Sequence, residues 1–186
     1  MPEGRIERLP IADAKGAAAE AGLPDFMADL SVFRIALKNP PVAKALNDLL
    51  FTLLQRGSLD ARLRELVIMR IGWTTGSVYE WTQHWRVATR LGMTDDDILG
   101  VRDWEQHAAY GPIERAVLRA ADDTVRDGVI SDATWQTLRD LLDDDAVLVE
   151  LVVAIGNWRL FSSLLRSLEV PLEDGVDPWP PDGRAP

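Results

Sequence analysis

Apolar residues recur along this chain at helical spacing, and glycine and proline cut the pattern into segments. Phe26, Leu30, Phe33 and Leu37 fall three and four apart, which predicts a helix over 25–38. Asn39-Pro40-Pro41 stops it, because proline disfavours helical backbone in the residue before it. Val42, Leu46, Leu49, Leu50, Leu53 and Leu54 predict a second helix over 42–55, closed by Gly57. Ser58 is a candidate cap for a third, which runs through Leu63, Leu66, Val67 and Ile71 to Thr75 before Gly76 breaks it. Residues 77–91 form a fourth, closed by Gly92. Thr94 followed by Asp95, Asp96 and Asp97 marks a helix start, since the positive end of the helix dipole favours acidic residues. Residues 103–111 read as irregular, with Trp104 and Tyr110 as anchors. Pro112 opens a helix that Gly128 ends. Residues 131–142 form a short helix, and Asp143, Asp144 and Asp145 precede a long apolar one.

No segment alternates as a half-buried strand would, and no period repeats. The pattern predicts an all-α, single-domain helical bundle. The expected organisation is an N-terminal arm over 1–24, a helical domain over 25–170 and a proline-rich tail over 171–186, extended and loose beyond Trp179. Residues 146–165 are apolar on most sides, which suits a helix buried centrally or against another subunit.

Charge narrows the partners. Asp plus Glu number 30 against 20 Lys plus Arg, a formal net charge of −10. Nucleic acid and anionic lipid both call for a cationic footprint, so neither is an expected partner. Cysteine is absent. Without a thiol there is no disulfide, no thiolate nucleophile and no Cys-based metal site. With only His84 and His107 available, a poly-histidine metal centre is not expected either. The start of the chain lacks a signal-peptide pattern. The longest charge-free stretch, between Arg70 and Glu80, is short of the ~18 residues a membrane span needs. A cytoplasmic location, with no membrane partner, is the expectation.

Candidate chemistry concentrates between Glu65 and His84. Ser77, Glu80 and His84 lie at i, i+3 and i+7, on one helical face that Val87 and Leu91 continue inward. Glu80 stands one turn before His84, so its carboxylate is placed to orient the imidazole. Glu65 lies on the preceding helix and reaches His84 if the two helices pack antiparallel, which would make a carboxylate–imidazole proton-handling group. The plainer alternatives are a surface pair of Glu65 with Arg62, a packing role for His84, and a helix-surface pair of Glu80 with His84. Trp73, Tyr79, Trp81 and Trp85 suit core or interface packing as well as a pocket wall.

The stretch Glu65-Leu66-Val67-Ile68, then Gly76-Ser77-Val78-Tyr79-Glu80-Trp81-Thr82-Gln83-His84, resembles the carboxymuconolactone decarboxylase family. So do Arg90-Leu91-Gly92-Met93-Thr94-Asp95, Glu150-Leu151-Val152 and Glu169-Val170-Pro171-Leu172. The resemblance spans residues 25–175. It implies the all-helical fold shared with AhpD-like alkylhydroperoxidases and homo-oligomers, commonly trimers or hexamers, that assemble through helices. The peroxidase branch uses a glutamate, a Cys-X-X-Cys pair and a histidine. Here Glu65 and His84 match the glutamate and histidine, while Ser77 and Glu80 take the cysteine positions. A hydroxyl and a carboxylate cannot form a redox disulfide, so thiol peroxidase activity is not expected.

The decarboxylase branch then implies cofactor-independent removal of carbon dioxide from a small carboxylated lactone or cyclic acid, with no metal. In that reading the catalytic residues are His84 as proton donor, Glu80 orienting it and Glu65 relaying. Ser77 binds the substrate or forming oxyanion, and Tyr79, Trp73 and Trp81 wall the pocket. A lactone hydrolase or isomerase with the same acid–base group, and a non-catalytic oligomeric binding protein, are the alternatives. Arg62, Arg70, Arg86, Arg90, Arg159 and Arg34 are the cations considered for a substrate carboxylate, and none is assigned.

Overall fold

A computed structural model describes residues 4–186; the first three residues of the expected N-terminal arm lie outside the described residues. Among the described residues there are nine α-helices, three short 3-10 or π-type turns and no strand. The all-α expectation therefore holds. The helices pack as two compact units, one of residues up to Gly57 with 164–176, the other of Ser58–Ser163 with Asp177–Pro186.

The first unit contains α1 (Ile11–Ala21), α2 (Ser31–Ala36) and α3 (Pro40–Phe51). A helix thus forms inside the segment expected to be an arm, with Ala14 and Ala18 fully buried. The helix expected over 25–38 is broken in two. Leu30 is extended, with ψ 128°, between a 3-10 turn at Asp25–Asp29 and α2. The Leu30 N–H closes the turn on the Met27 carbonyl at 3.1 Å. The break resets the helical phase, so Val32, Phe33 and Ile35 are buried while Phe26 is 63% exposed. Residues 164–176 add to this unit. The Arg5 N–H donates to the Leu168 carbonyl at 2.9 Å, and the Ser31 N–H to Glu173 Oε1 at 2.9 Å.

The second unit is built on α4 (Ala61–Thr75), which packs against α5 (Val78–Arg90) and α7 (Pro112–Asp127). Leu66, Val67, Ile68, Met69 and Ile71 on α4 are all fully buried. Such residues stabilise a fold by ~1.5–3 kcal/mol each relative to exposure. The cap of α4 is Asp60, whose carboxylate accepts from the Leu63 N–H at 3.0 Å. Ser58, the expected cap, instead donates its backbone N–H to Glu150 Oε2 at 2.6 Å. Gly76 ends α4 with φ 69°, a left-handed conformation that favours glycine. Gly72 sets how near α5 comes, since a Cβ there would meet the Trp81 backbone nitrogen at 3.2 Å.

The remaining helices of this unit are α6 (Asp95–Leu99), α8 (Asp132–Leu141) and α9 (Asp145–Ser167) as far as Ser163. Thr94 caps α6 as expected, and Ser131, expected inside the helix, caps α8. Trp104 and Tyr110 anchor the irregular stretch, Trp104 through its indole N–H on Asp122 at 2.9 Å. On α9, Leu148, Leu151, Ala154, Ile155 and Trp158 are buried, while Val149, Val152, Val153 and Leu160 form an exposed apolar stripe. By length and composition alone α9 reaches what a membrane span needs, with a mean hydropathy of 1.5 over its window. The charge-free criterion misses this because Glu150 and Arg159 interrupt the run.

The tail beyond Trp179 is not loose, contrary to expectation. The Trp81 indole N–H donates to the Pro180 carbonyl at 2.8 Å, and Arg102 forks onto Asp182 at 2.7 and 2.9 Å.

Candidate functional site

Burial on α4 and α5 decides the site. Glu65 is fully buried, and Ser77 and Glu80 are 1% and 3% exposed. Glu65 faces α5 because it lies on the helix side that also carries Gly72, two turns on, where the α5 backbone comes close. Its Oε2 lies 2.7 Å from His84 Nδ1. The surface pair of Glu65 with Arg62 does not form. Arg62 instead binds Asp97 at 2.6 and 2.9 Å and Glu114 at 2.7 Å. The cation beside Glu65 is Arg64, whose guanidinium lies 3.3 Å from Oε1.

The other imidazole nitrogen is also occupied. The Trp158 indole N–H, from α9, donates to His84 Nε2 at 3.1 Å. An indole N–H can only donate, so Nε2 carries the lone pair and Nδ1 carries the proton. Nδ1–H then donates to the Glu65 carboxylate. The orientation of His84 therefore comes from Glu65 and Trp158. This corrects the expectation that Glu80 orients the ring: Glu80 is engaged elsewhere, by the Ser162 hydroxyl of α9, which donates to its Oε2.

Glu80 sits in an unusual electrostatic state. Burial pushes its carboxyl up to about 8, against the opposing effect of hydrogen bonding from Ser162 and of nearby Ser77. At neutral pH it is mostly a protonated acid. Its Oε1 has no hydrogen-bond partner, and neither has Ser77 Oγ. Two buried polar atoms thus lie unsatisfied at the two positions where the peroxidase pattern has cysteines. An orphaned buried oxygen costs ~1–3 kcal/mol, a cost that a polar ligand reaching these atoms would remove.

The expected pocket wall is only partly present. Trp73 and Trp81 have ring centroids 5.3 Å apart and pack on Trp179 at 6.0 Å each. The Arg102 guanidinium lies 4.6 and 4.9 Å above the two rings. Both indoles are engaged by the C-terminal tail rather than by Glu80 or His84. Tyr79 is buried at 5% exposure, one residue and so ~100° around α5 from Glu80. A cavity of about 340 Å³ lies elsewhere, lined by residues that include Arg62, Met93, Asp96 and His107. None of Glu65, Ser77, Glu80 and His84 lines it. Among the described residues no group of three or more acidic or histidine side chains is placed to hold a metal ion.

Sequence reasoning missed Arg64, Trp158, Ser162 and Thr75. Trp158 and Ser162 stand at i and i+4 on one face of an otherwise apolar helix. Two polar-tipped residues sharing a buried stripe were the signal available.

Residues 40–123 match the model of the carboxymuconolactone decarboxylase family. No curated protein matches the sequence significantly. Among solved structures, the chain is similar to a Ralstonia eutropha protein described as an alkylhydroperoxidase AhpD core, an uncharacterized peroxidase-related protein. That match has 16% identity, covers 94% of each chain and has a TM-score of 0.75. A protein of unknown function from Agrobacterium tumefaciens, a candidate antioxidant defence protein AhpD, shows 23% identity over 74% of this chain and 94% of its own, with a TM-score of 0.68. The debrominase Bmp8, solved in complex with 2,3,4-tribromopyrrole, shows 18% identity over 90% of each chain with a TM-score of 0.71. The cysteine-free chain thus carries, over residues 40–123, a segment similar to the carboxymuconolactone decarboxylase family, and it shares the all-helical fold of AhpD-like proteins.

Proposed function

We propose that this protein is an acid–base enzyme that decarboxylates a small carboxylated lactone or cyclic acid without a cofactor. The observation that carries the reading is Glu80, a buried, protonated carboxyl with a free oxygen beside the unpartnered Ser77 hydroxyl. In such a substrate the bond to carbon dioxide breaks and its electron pair moves into the conjugated lactone carbonyl. The resulting enolate needs a proton on carbon. Glu80 is the donor in this reading, and Ser77 Oγ–H donates to the enolate oxygen.

His84 has a different part from the proton donor expected from sequence. Both of its nitrogens are held within the protein, so it is a structural part of the site rather than the group delivering a proton. The Arg64–Glu65–His84 chain, a cation, a carboxylate and a neutral ring in sequence, holds the imidazole in place. Self-association belongs to the same reading, as a trimer or hexamer. The exposed stripe of Val149, Val152, Val153 and Leu160 supports it.

The test is incubation with carboxylated five- and six-membered unsaturated lactones in deuterated water. The expected result is carbon dioxide release with one deuterium on the product carbon, abolished in Glu80→Gln. Conversion without carbon dioxide would replace this reading with the hydrolase or isomerase one. Tight binding without turnover would leave a binding protein.

A further inference from the structure

A general acid as buried as Glu80 has to recover its proton after each turnover. The reading of Glu80 as donor is the premise here. Its surroundings contain a chain of hydroxyls. Ser162, 1% exposed, donates to Glu80 Oε2. Thr75 Oγ1, on the last turn of α4, lies 3.1 Å from Ser162 Oγ and donates to it. Thr75 is partly exposed to solvent. The three groups come from α5, α9 and α4 and lie in the same compact unit. The imidazole is not an alternative conduit, since Trp158 and Glu65 occupy both of its nitrogens.

The geometry points to Thr75 and Ser162 as a proton relay that recharges Glu80 from solvent. With Glu80 ionised, the Ser162 hydrogen moves to Glu80 Oε2, the Thr75 hydrogen moves to Ser162 Oγ, and hydronium or a buffer acid supplies a hydrogen to Thr75 Oγ1. Each hydroxyl gives up one hydrogen and receives one. The net change is one proton carried from solvent to Glu80, with no electron transferred.

A second hydrogen bond explains how the relay rests. Thr75 Oγ1 also lies 2.7 Å from the Ile71 carbonyl, its own helix partner four residues back. One hydroxyl hydrogen cannot serve two acceptors fully, so rotation about the Thr75 side chain switches it between the helix backbone and Ser162. Ser162 has no such choice in the structure, because a buried hydroxyl beside Glu80 loses its bond if it turns away. These are relay residues, distinct from a group that touches substrate.

Stopped-flow infrared spectroscopy after a pH jump from 9.5 to 6.5 on the full chain tests this. The protonated carboxyl stretch of Glu80 is identified as the band missing in Glu80→Gln. The expected result is that Thr75→Val and Ser162→Ala slow the appearance of that band at least ~10-fold. Thr75→Ser, which keeps the hydroxyl, should stay near the wild-type rate. Added imidazole should restore speed in Thr75→Val. Thr75→Val leaves the Ser162–Glu80 bond intact, so it tests the relay even if Ser162→Ala perturbs packing. Wild-type rates in both variants would overturn the relay and leave Glu80 as donor. Absence of any band lost in Glu80→Gln would overturn both together.

Discussion

Trp158 caps His84: the indole N–H of α9 points at Nε2 from 3.1 Å, with ring centroids 5.7 Å apart and planes at 84°. This contact, together with Glu65 at Nδ1, fixes one tautomer of a histidine whose sequence context suggested a mobile proton donor. Trp158→Phe keeps most of the packing and removes the donor. The expected outcome is a shift of His84 from the Nδ1–H tautomer toward Nε2–H, read from ring nitrogen chemical shifts. A wild-type ring already protonated on Nε2 would contradict the assignment.

Glu80 makes stability fall with rising pH. Its carboxyl titrates at about 8 in the folded chain against 4.5 for an unperturbed glutamate. Below pH 4.5 both states hold the proton and nothing is lost. Between 4.5 and 8 the unfolded chain releases its proton first, so folding loses ground, by a few kcal/mol in all. Glu80→Gln cannot ionise. The difference in stability between variant and wild type should therefore move in favour of the variant from pH 5 to pH 8 and level off above that. Urea denaturation across this range measures it, and parallel curves would refute it.

Glu65 holds two donors, the buried Arg64 and the partly buried His84. Glu65→Ala strands the His84 Nδ1–H and leaves Arg64, whose side chain is 8% exposed, without its partner carboxylate. Breaking a buried pair from one side costs about 3–5 kcal/mol. Glu65→Gln keeps an acceptor for the imidazole and should lose less. Equal loss in the two variants, by equilibrium unfolding, would show that the charge matters more than the hydrogen bond.

Asp123 ties α7 to the start of α8. It accepts from the Ser131 N–H at 3.1 Å, the Ser131 hydroxyl at 2.7 Å and the Thr134 hydroxyl at 2.7 Å. Burial works to raise its carboxyl, and the hydrogen bonds from Thr134 and Ser131 outweigh it and hold the group at about 2. The stabilisation is complete above the ordinary value of 3.8 and disappears as pH falls through about 2. Asp123→Asn should cost about 1–3 kcal/mol at pH 7 and much less near pH 2. Thermal unfolding at the two pH values checks this.

The helical periodicity, the glycine at the end of α4, the proline at the start of α7 and the threonine cap of α6 were local signals. Local hydrogen bonds and steric limits act within a few residues, so the sequence by itself settled that the chain is helical and where most helices end. Glu65, Ser77, Glu80 and His84 stood out for the same reason, as polar residues on apolar faces. Which carboxylate meets His84 was not local. Glu80 is nearer in sequence, yet Glu65, nineteen residues away, makes the bond. The close approach of α4 and α5 at Gly72 decides that choice, and it depends on the volume of a side chain that is absent. Only the tertiary structure could bring in Trp158 and Ser162, because helix spacing says which residues share a face and cannot say what that face meets. Packing α9 on the site turned an apparent histidine acid into a fixed ring and left the buried glutamate holding the proton.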